Sequence, residues 1–267
     1  IRTNLDNVIT GVNGEMAARL GLKQLRVLAP KTDQLRKLIV FVPKDQAENV
    51  RAAMFGAGAG SIGGYDQCSF TTEGKGTFRP GMGTTPHVGT HGQRHTEPEV
   101  RMEVVVPVVH EGRVISAMRG AHPYEEVAYD LLPLANLHPG IGAGLVGTFG
   151  EPLEERAFLG LVKKVFGLNV IRHTSLLGKS VKHVALCGGS GAFLIGKAKA
   201  AGADAYITGD VKYHEFFDAD GQLLLTDVGH FGSEQFTMNL IQRRLGELLP
   251  TFAVRLTEIV TDPIYHY

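Results

Sequence analysis

A histidine and a glutamate four residues apart, His230 and Glu234, stand just past a short apolar run at 223–225, with Asp227 and Gly229 between. An unbroken apolar run of that length suits a parallel strand covered on both faces. A helix starting near Gly229 would put His230 and Glu234 on one face of its first turn. A neutral imidazole and a carboxylate converging there can grip a divalent metal. The same spacing also suits a histidine closing a strand end and a glutamate set favourably at a helix N-terminus. Spacing alone leaves both readings open.

Other candidate residues fall at comparable positions. Gly188-Gly189-Ser190-Gly191 follows a strand expected at 181–187 and opens a helix expected at 192–201. Its backbone N–H groups could hold an anion at the positive end of that helix. It lacks the Gly-Lys-Ser/Thr of a phosphate-binding Walker loop and does not fit the dinucleotide fingerprint, and a plain tight turn explains it equally well. Asp210 and His214 follow a strand expected at 205–208; His214 is placed to shuttle a proton or simply to face solvent. Asp6 precedes a helix expected over 8–20 and by itself reads as an N-cap. His87, His91 and His95 lie four apart in a stretch, 74–98, rich in glycine and proline. That stretch reads as one long loop, and its histidines as solvent-facing. His122-Pro123-Tyr124-Glu125-Glu126 reads as a polar turn.

The elements that must position these groups come in two styles. Residues 38–134 give the order β-α-β-β-α-β, with strands at 38–42, 67–72, 100–109 and 127–134 and helices at 47–55 and 114–121; this is a ferredoxin-like split unit. From 142 onward, strands at 145–149, 170–173, 181–187, 205–208 and 223–226 alternate with helices at 153–166, 192–201 and 236–248. A segment at 254–259 closes the set. Short connections between such elements imply an α/β fold with a mostly parallel, covered sheet. Ligands then belong beyond the carboxyl ends of its strands, where Gly188, Asp210 and His230 all fall.

Bulk properties exclude some partners. The 27 acidic and 27 basic side chains cancel, so no charged surface points to nucleic acid or an anionic membrane. No apolar run approaches the roughly 18 residues of a spanning helix. Two cysteines, Cys68 and Cys187, argue against a disulfide framework and fit a reducing cytoplasm.

Together, four phrases resemble the NIF-three-like proteins, also called GTP cyclohydrolase I type 2 homologues. They are Thr3-Asn4-Leu5-Asp6, Cys187 to Gly191, Ile207 to His214 and Asp227 to Glu234. The middle unit, with Gly76-Thr77-Phe78 and Ala121 to Glu126, is similar to the PII/CutA-like insert of the longer bacterial members. The resemblance implies a core made of residues 1–35 and 136–267, interrupted by an insert at 36–135. It implies a homo-oligomer, a toroidal hexamer, with two divalent metals per subunit (zinc, manganese or iron) in the complete site. Asp6, His230 and Glu234 would be metal ligands; Gly188, Gly189, Ser190, Gly191 and Asp210 would approach the substrate, with His214 as proton carrier. A histidine pair supplying further ligands would precede Thr3, so that the N-terminal half of the core would lie outside these 267 residues. The chain as written would then hold about half of the dinuclear site. The activity implied is metal-dependent hydrolysis of GTP; the alternative is a metal-storing, metal-delivering or regulatory protein whose insert senses a ligand.

Overall fold

The computed structural model describes residues 5–265. Residues 1–4, which include Thr3 and Asn4 of the family-like phrase, lie outside them. The chain divides into two compact units, one of Ile1–Pro30 with Pro139–Tyr267 and one of Lys31–His138. In chain order the first unit opens with α1 (Val12–Leu20) and β1 (Lys23–Pro30). The second contains β2 (Leu35–Pro43), α2 (Ala47–Gly56), β3 (Ser69–Phe78), β4 (His95–Pro107), α3 (Glu111–Ala121) and β5 (Tyr129–Pro133). The first resumes with β6 (Gly142–Glu154), α4 (Glu155–Phe166), β7 (Arg172–His173), β8 (Ser180–Ser190), α5 (Ile195–Ala200), β9 (Ala205–Gly209), β10 (Leu224–Asp227), α6 (His230–Glu234) and α7 (Thr237–Leu248).

The first unit is an α/β layer with strand order β1-β6-β8-β9-β10-β7. Only β8–β9 and β9–β10 pair in parallel; β1–β6, β6–β8 and β10–β7 are antiparallel, so the sheet is mixed rather than mostly parallel. Residues 205–207 explain why both faces are covered. Ala205 and Ile207 join Met16 of α1 and Phe158 and Val162 of α4 in one core. Tyr206, between them, points the other way to Leu194, Ile195 and Ala198. Period-two alternation with apolar residues on both sides demands helices on both sides.

Several boundaries differ from the sequence reading, each for a local reason. The first helix starts at Val12, not at Val8, because Val8 bridges Ile141 and residues Leu5–Asn7 form a 3-10 turn. Asp6 therefore lies in that turn and is not an N-cap; α1 begins after Gly11 without a side-chain cap. Leu153 belongs to β6, and Glu154 caps α4 by accepting from the N–H groups of Arg156 and Ala157. No strand forms at 254–259, where Ile259 is exposed.

The second unit has strand order β3-β4-β2-β5, every pair antiparallel. This is the order of a split β-α-β unit. Val50 and Met54 of α2 and Val114 and Met118 of α3 bury Leu38, Val40, Val42, Val100, Met102, Val104 and Val106. The expected loop at 74–98 is shorter, because β3 runs to Phe78 and β4 starts at His95. Pro98 is tolerated there since β2 pairs with β4 only from Glu99 onward, leaving the missing donor on an open edge. His95 is correspondingly half-buried in a strand, its Nε2 2.7 Å from Glu97. His91 and His87 are both exposed, and His87 also sets its ring near Tyr124.

His122 is buried within this unit. One ring nitrogen, Nε2, donates to the Phe41 carbonyl (2.9 Å) while Nδ1 accepts from the Tyr124 N–H (3.1 Å). Burial is the main force holding its pKa below the usual histidine value, with the Phe41 carbonyl opposing and His87 adding. A fragment of residues 31–138 is expected to unfold cooperatively. Its stability should fall as pH drops below about 6.5, where the unfolded chain takes up a proton that folded His122 resists. Urea midpoints between about pH 5 and 7.5 check this, and His122→Gln should flatten the slope.

Candidate functional site

The site grows from one irregularity in the sheet. Leu186 of β8 pairs with Ile207 of β9, but the next matched pair is Ser190 with Gly209. Two extra residues therefore bulge from β8 at the carboxyl end of the parallel strands. The backbone groups that leave the ladder need other partners. Asn13 of α1 accepts from the Gly188 N–H (2.8 Å), and Ser233 of α6 accepts from the Gly189 N–H (2.8 Å). Thr208 donates to the Gly189 carbonyl (3.2 Å), and Tyr206 to that of Gly191 (2.7 Å).

Those side chains also reach the candidate ligands. The Asn13 amide donates to the Asp6 carbonyl at 2.7 Å, and the Ser233 hydroxyl donates to the His230 carbonyl at 2.8 Å. Asp227, buried at the end of β10, accepts from the Val211 N–H (3.2 Å) and the Gly229 N–H (2.9 Å). An ion pair with Arg172 at 3.1 Å offsets its charge. One carboxylate thus holds the loop carrying Asp210 and the loop carrying His230.

Gly229, at φ +75°, turns the chain into α6, so His230 and Glu234 share a face as their spacing implies. His230 Nδ1 lies 2.6 Å from Asp210 Oδ2, and Nε2 lies 3.4 Å from Glu234 Oε2. The three side chains are open to solvent, at 51%, 46% and 42% exposure for His230, Asp210 and Glu234. Asp210's hydrogen bond is the largest cause raising the His230 pKa, burial opposes it, and the Glu234 and Asp210 charges add. Gly189 (φ +66°) has a second role here, since a Cβ on it would fall 2.6 Å from Glu234 Oε1. Its bare Cα gives the carboxylate its place.

Asp6 lies in the 3-10 turn before α1. Its carboxylate accepts from Asn7 at 3.2 Å, and with Glu234 it helps push the Cys187 thiol up to about 12, burial being the chief cause. His230 and Glu234 are therefore brought together with Asp210, and Asp6 and Glu234 both act on Cys187. Among the described residues no three His, Cys, Asp or Glu side chains converge as a ready metal cage. His214 is exposed, set edge-on to the Tyr213 ring, and outside the hydrogen-bonded cluster. The N–H groups of Gly188 and Gly189, read from sequence as an anion cradle, are already taken by Asn13 and Ser233. The residues 188–190 continue β8 rather than opening a helix. Asn13, Ser233 and Asp227 were not legible as site residues. The one available signal was a polar Asn13 inside the apolar stripe of α1.

The first unit is thus an α/β layer with a histidine and carboxylates gathered at the carboxyl ends of its parallel strands. Residues 1–263 match the model of the DUF34/NIF3 family (NGG1p interacting factor 3), and the chain belongs to that family. It is 42% identical over 266 residues to a GTP cyclohydrolase 1 type 2 homolog of Halalkalibacterium halodurans, covering 98% of this chain and 71% of that one. The Bacillus subtilis homolog is 42% identical over 245 residues, covering 91% and 65%. The crystal structure of a Bacillus cereus protein related to NIF3 superposes with a TM-score of 0.85 at 38% identity, covering 98% of this chain and 71% of that chain. No helix among the described residues is long and apolar enough to cross a membrane.

The buried hydrogen bonds give a direct test. Ser233→Ala and Asn13→Leu each strand a buried N–H of the bulge, and each should cost about 1–3 kcal/mol of stability. Denaturant midpoints measure the loss; values within error of wild type would show that the bulge does not depend on these side chains.

Proposed function

We propose that the chain carries the divalent-metal site of a hydrolase, with Asp6, His230 and Glu234 as ligands and GTP as substrate. The line from Asp210 through His230 to Glu234 carries this reading. With the imidazole proton on Nδ1 and donated to Asp210, the Nε2 lone pair is left facing Glu234. A carboxylate that fixes the tautomer and orientation of a histidine is the usual companion of a metal-bound imidazole. One imidazole nitrogen beside carboxylate oxygens suits zinc, manganese or iron, and Gly189 keeps the space beside Glu234 open. Once bound, a divalent ion supplies Lewis-acid polarisation and a nucleophile from water at neutral pH.

The chain's own residues take the remaining roles. Asn13 and Ser233 hold Asp6 and His230 through backbone atoms, so the ligands keep their spacing without relying on the ion. Asp210 orients His230 rather than meeting substrate. Ser190, exposed at the end of β8, remains to meet a substrate phosphate. His214, exposed four residues past Asp210, takes the role of proton carrier in this reading. GTP comes from the names of the relatives, and a ring-shaped homo-oligomer, a hexamer, belongs to the same reading. The strand order of the second unit supports reading it as a PII/CutA-like insert.

Calorimetry with zinc and manganese, alongside formate release from GTP, tests the proposal. His230→Ala should abolish the tightest metal binding, and Asp210→Asn should weaken it by roughly 10–100-fold. Metal stoichiometry unchanged in His230→Ala would remove the ligand assignment. Metal binding without turnover in a chain extended upstream to carry the histidine pair would assign the protein to metal storage or delivery instead.

A further inference from the structure

The second unit holds a cavity of about 650 Å³. Phe41, Glu99 and Arg101 line it, and their strand neighbours Val40, Val42, Val100 and Met102 belong to the core under α2 and α3. Alternation along the strands therefore puts the cavity on the sheet face that those helices leave open. Loop 79–94 roofs it, tied down where Glu125 accepts from the Thr85 N–H at 2.8 Å. Its aromatic walls include Phe78, His87 and Tyr124, with the Tyr124 ring 5.9 Å from Phe78 and 6.1 Å from His87.

Glu99 shares the cavity lining with Glu73, Lys75, Arg79, Arg101, Glu125 and Glu126. It is partly buried and has no cationic partner among the described residues. Gly76 on β3 makes its place, because any Cβ there would collide with the Glu99 carboxylate. Tyr124 Oη is wholly buried and makes no hydrogen bond of normal geometry. It still lies near enough to favour the charged form of Glu99, against the larger effect of burial and the smaller one of Glu97. Burial, then Glu99, Glu97 and Asp45, make Tyr124 itself harder to ionise. Arg101 is paired with Glu103 at 2.9 Å, and Arg79 is exposed beside the roof. A carboxylate with no ion-pair partner in an aromatic-walled cavity leaves a charged hydrogen-bonding site that neutral hydrocarbon does not use.

We propose that this cavity binds a small organic cation built on a flat ring, such as an aromatic amidine or amino-heterocycle. Its N–H edge meets Glu99 in a charge-assisted pair, and its ring packs among Phe78, His87 and Tyr124, whose aromatic faces attract a cation. The proposal is independent of the metal site, since every residue it uses lies in the second unit.

The probes are benzamidine and 2-aminobenzimidazole, with neutral benzamide and anionic benzoate as counterparts, titrated into the whole chain by calorimetry and followed by amide chemical shifts. Saturable binding of the two cations with Kd below about 1 mM, and shifts confined to the cavity lining, are expected. Glu99→Gln keeps the shape and removes the charge, and should weaken cation binding at least about tenfold. Phe78→Leu, which keeps an apolar wall but removes the ring, should weaken it as well and serves if the first variant does not fold. Benzamide or benzoate binding as tightly as benzamidine would overturn the proposal. So would undiminished cation binding in Glu99→Gln, or no saturable cation binding to the wild-type chain.

Discussion

The site depends on the two-residue bulge in β8 and on the obligation it creates. Taking Gly188 and Gly189 out of register with β9 leaves backbone donors and acceptors in a dry interior. Each unpaired group would cost about 1–3 kcal/mol, so the fold must supply partners from outside the ladder. It does so from three directions: α1 through Asn13, α6 through Ser233 and β9 through Thr208 and Tyr206. The helices are thereby fixed to the sheet at the points where Asp6 and His230 begin. A local cost in strand regularity becomes the mechanism that registers distant segments.

The placement of charge follows the same logic. Asp227 is buried but serves two N–H groups and Arg172, so its charge is compensated where solvent is absent. His230, Asp210 and Glu234 make few bonds and remain open to solvent, where ionised groups are cheaply held and a ligand can enter. Satisfied polar groups lie underneath, and solvent-open ones lie on top. Removing a support should therefore be felt first as lost stability, and removing a surface group as lost binding.

Much of this was legible in the sequence, though unevenly. The β-α-β-β-α-β order of the second unit followed from hydrophobic alternation and from helix stripes such as Val114 and Met118. The His230–Glu234 face followed from spacing and from Gly229. What failed were readings that depend on which strand lies beside which. Period alone does not tell a parallel from an antiparallel neighbour, so β1, β6 and β7 turned a supposedly parallel sheet into a mixed one. Glycines misled in both directions. At 74–78 they read as loop yet pair in β3, and at 188–191 they read as a helix-opening turn yet form a bulge. Asn13 and Ser233 were invisible because their partners are backbone groups of remote residues, which carry no side-chain signature.

The glycines make sense once they are read as space left for a carboxylate. Gly189 gives room to Glu234, and Gly76 gives room to Glu99, in two units with unrelated sheets. In each case a residue without Cβ lets an acidic side chain lie against backbone, where a larger neighbour would force it back into solvent. Neither carboxylate has a lysine or arginine partner among the described residues; Glu234 has His230 beside it, and Glu99 has only Tyr124. A carboxylate given space but no fixed cation is free to take a counter-charge from outside the fold. At Glu234 the neighbouring imidazole and the open setting are what the proposed metal ion would use. At Glu99 the aromatic walls and the roofing loop favour an organic cation, and the difference between the two ligands lies in what surrounds each acid.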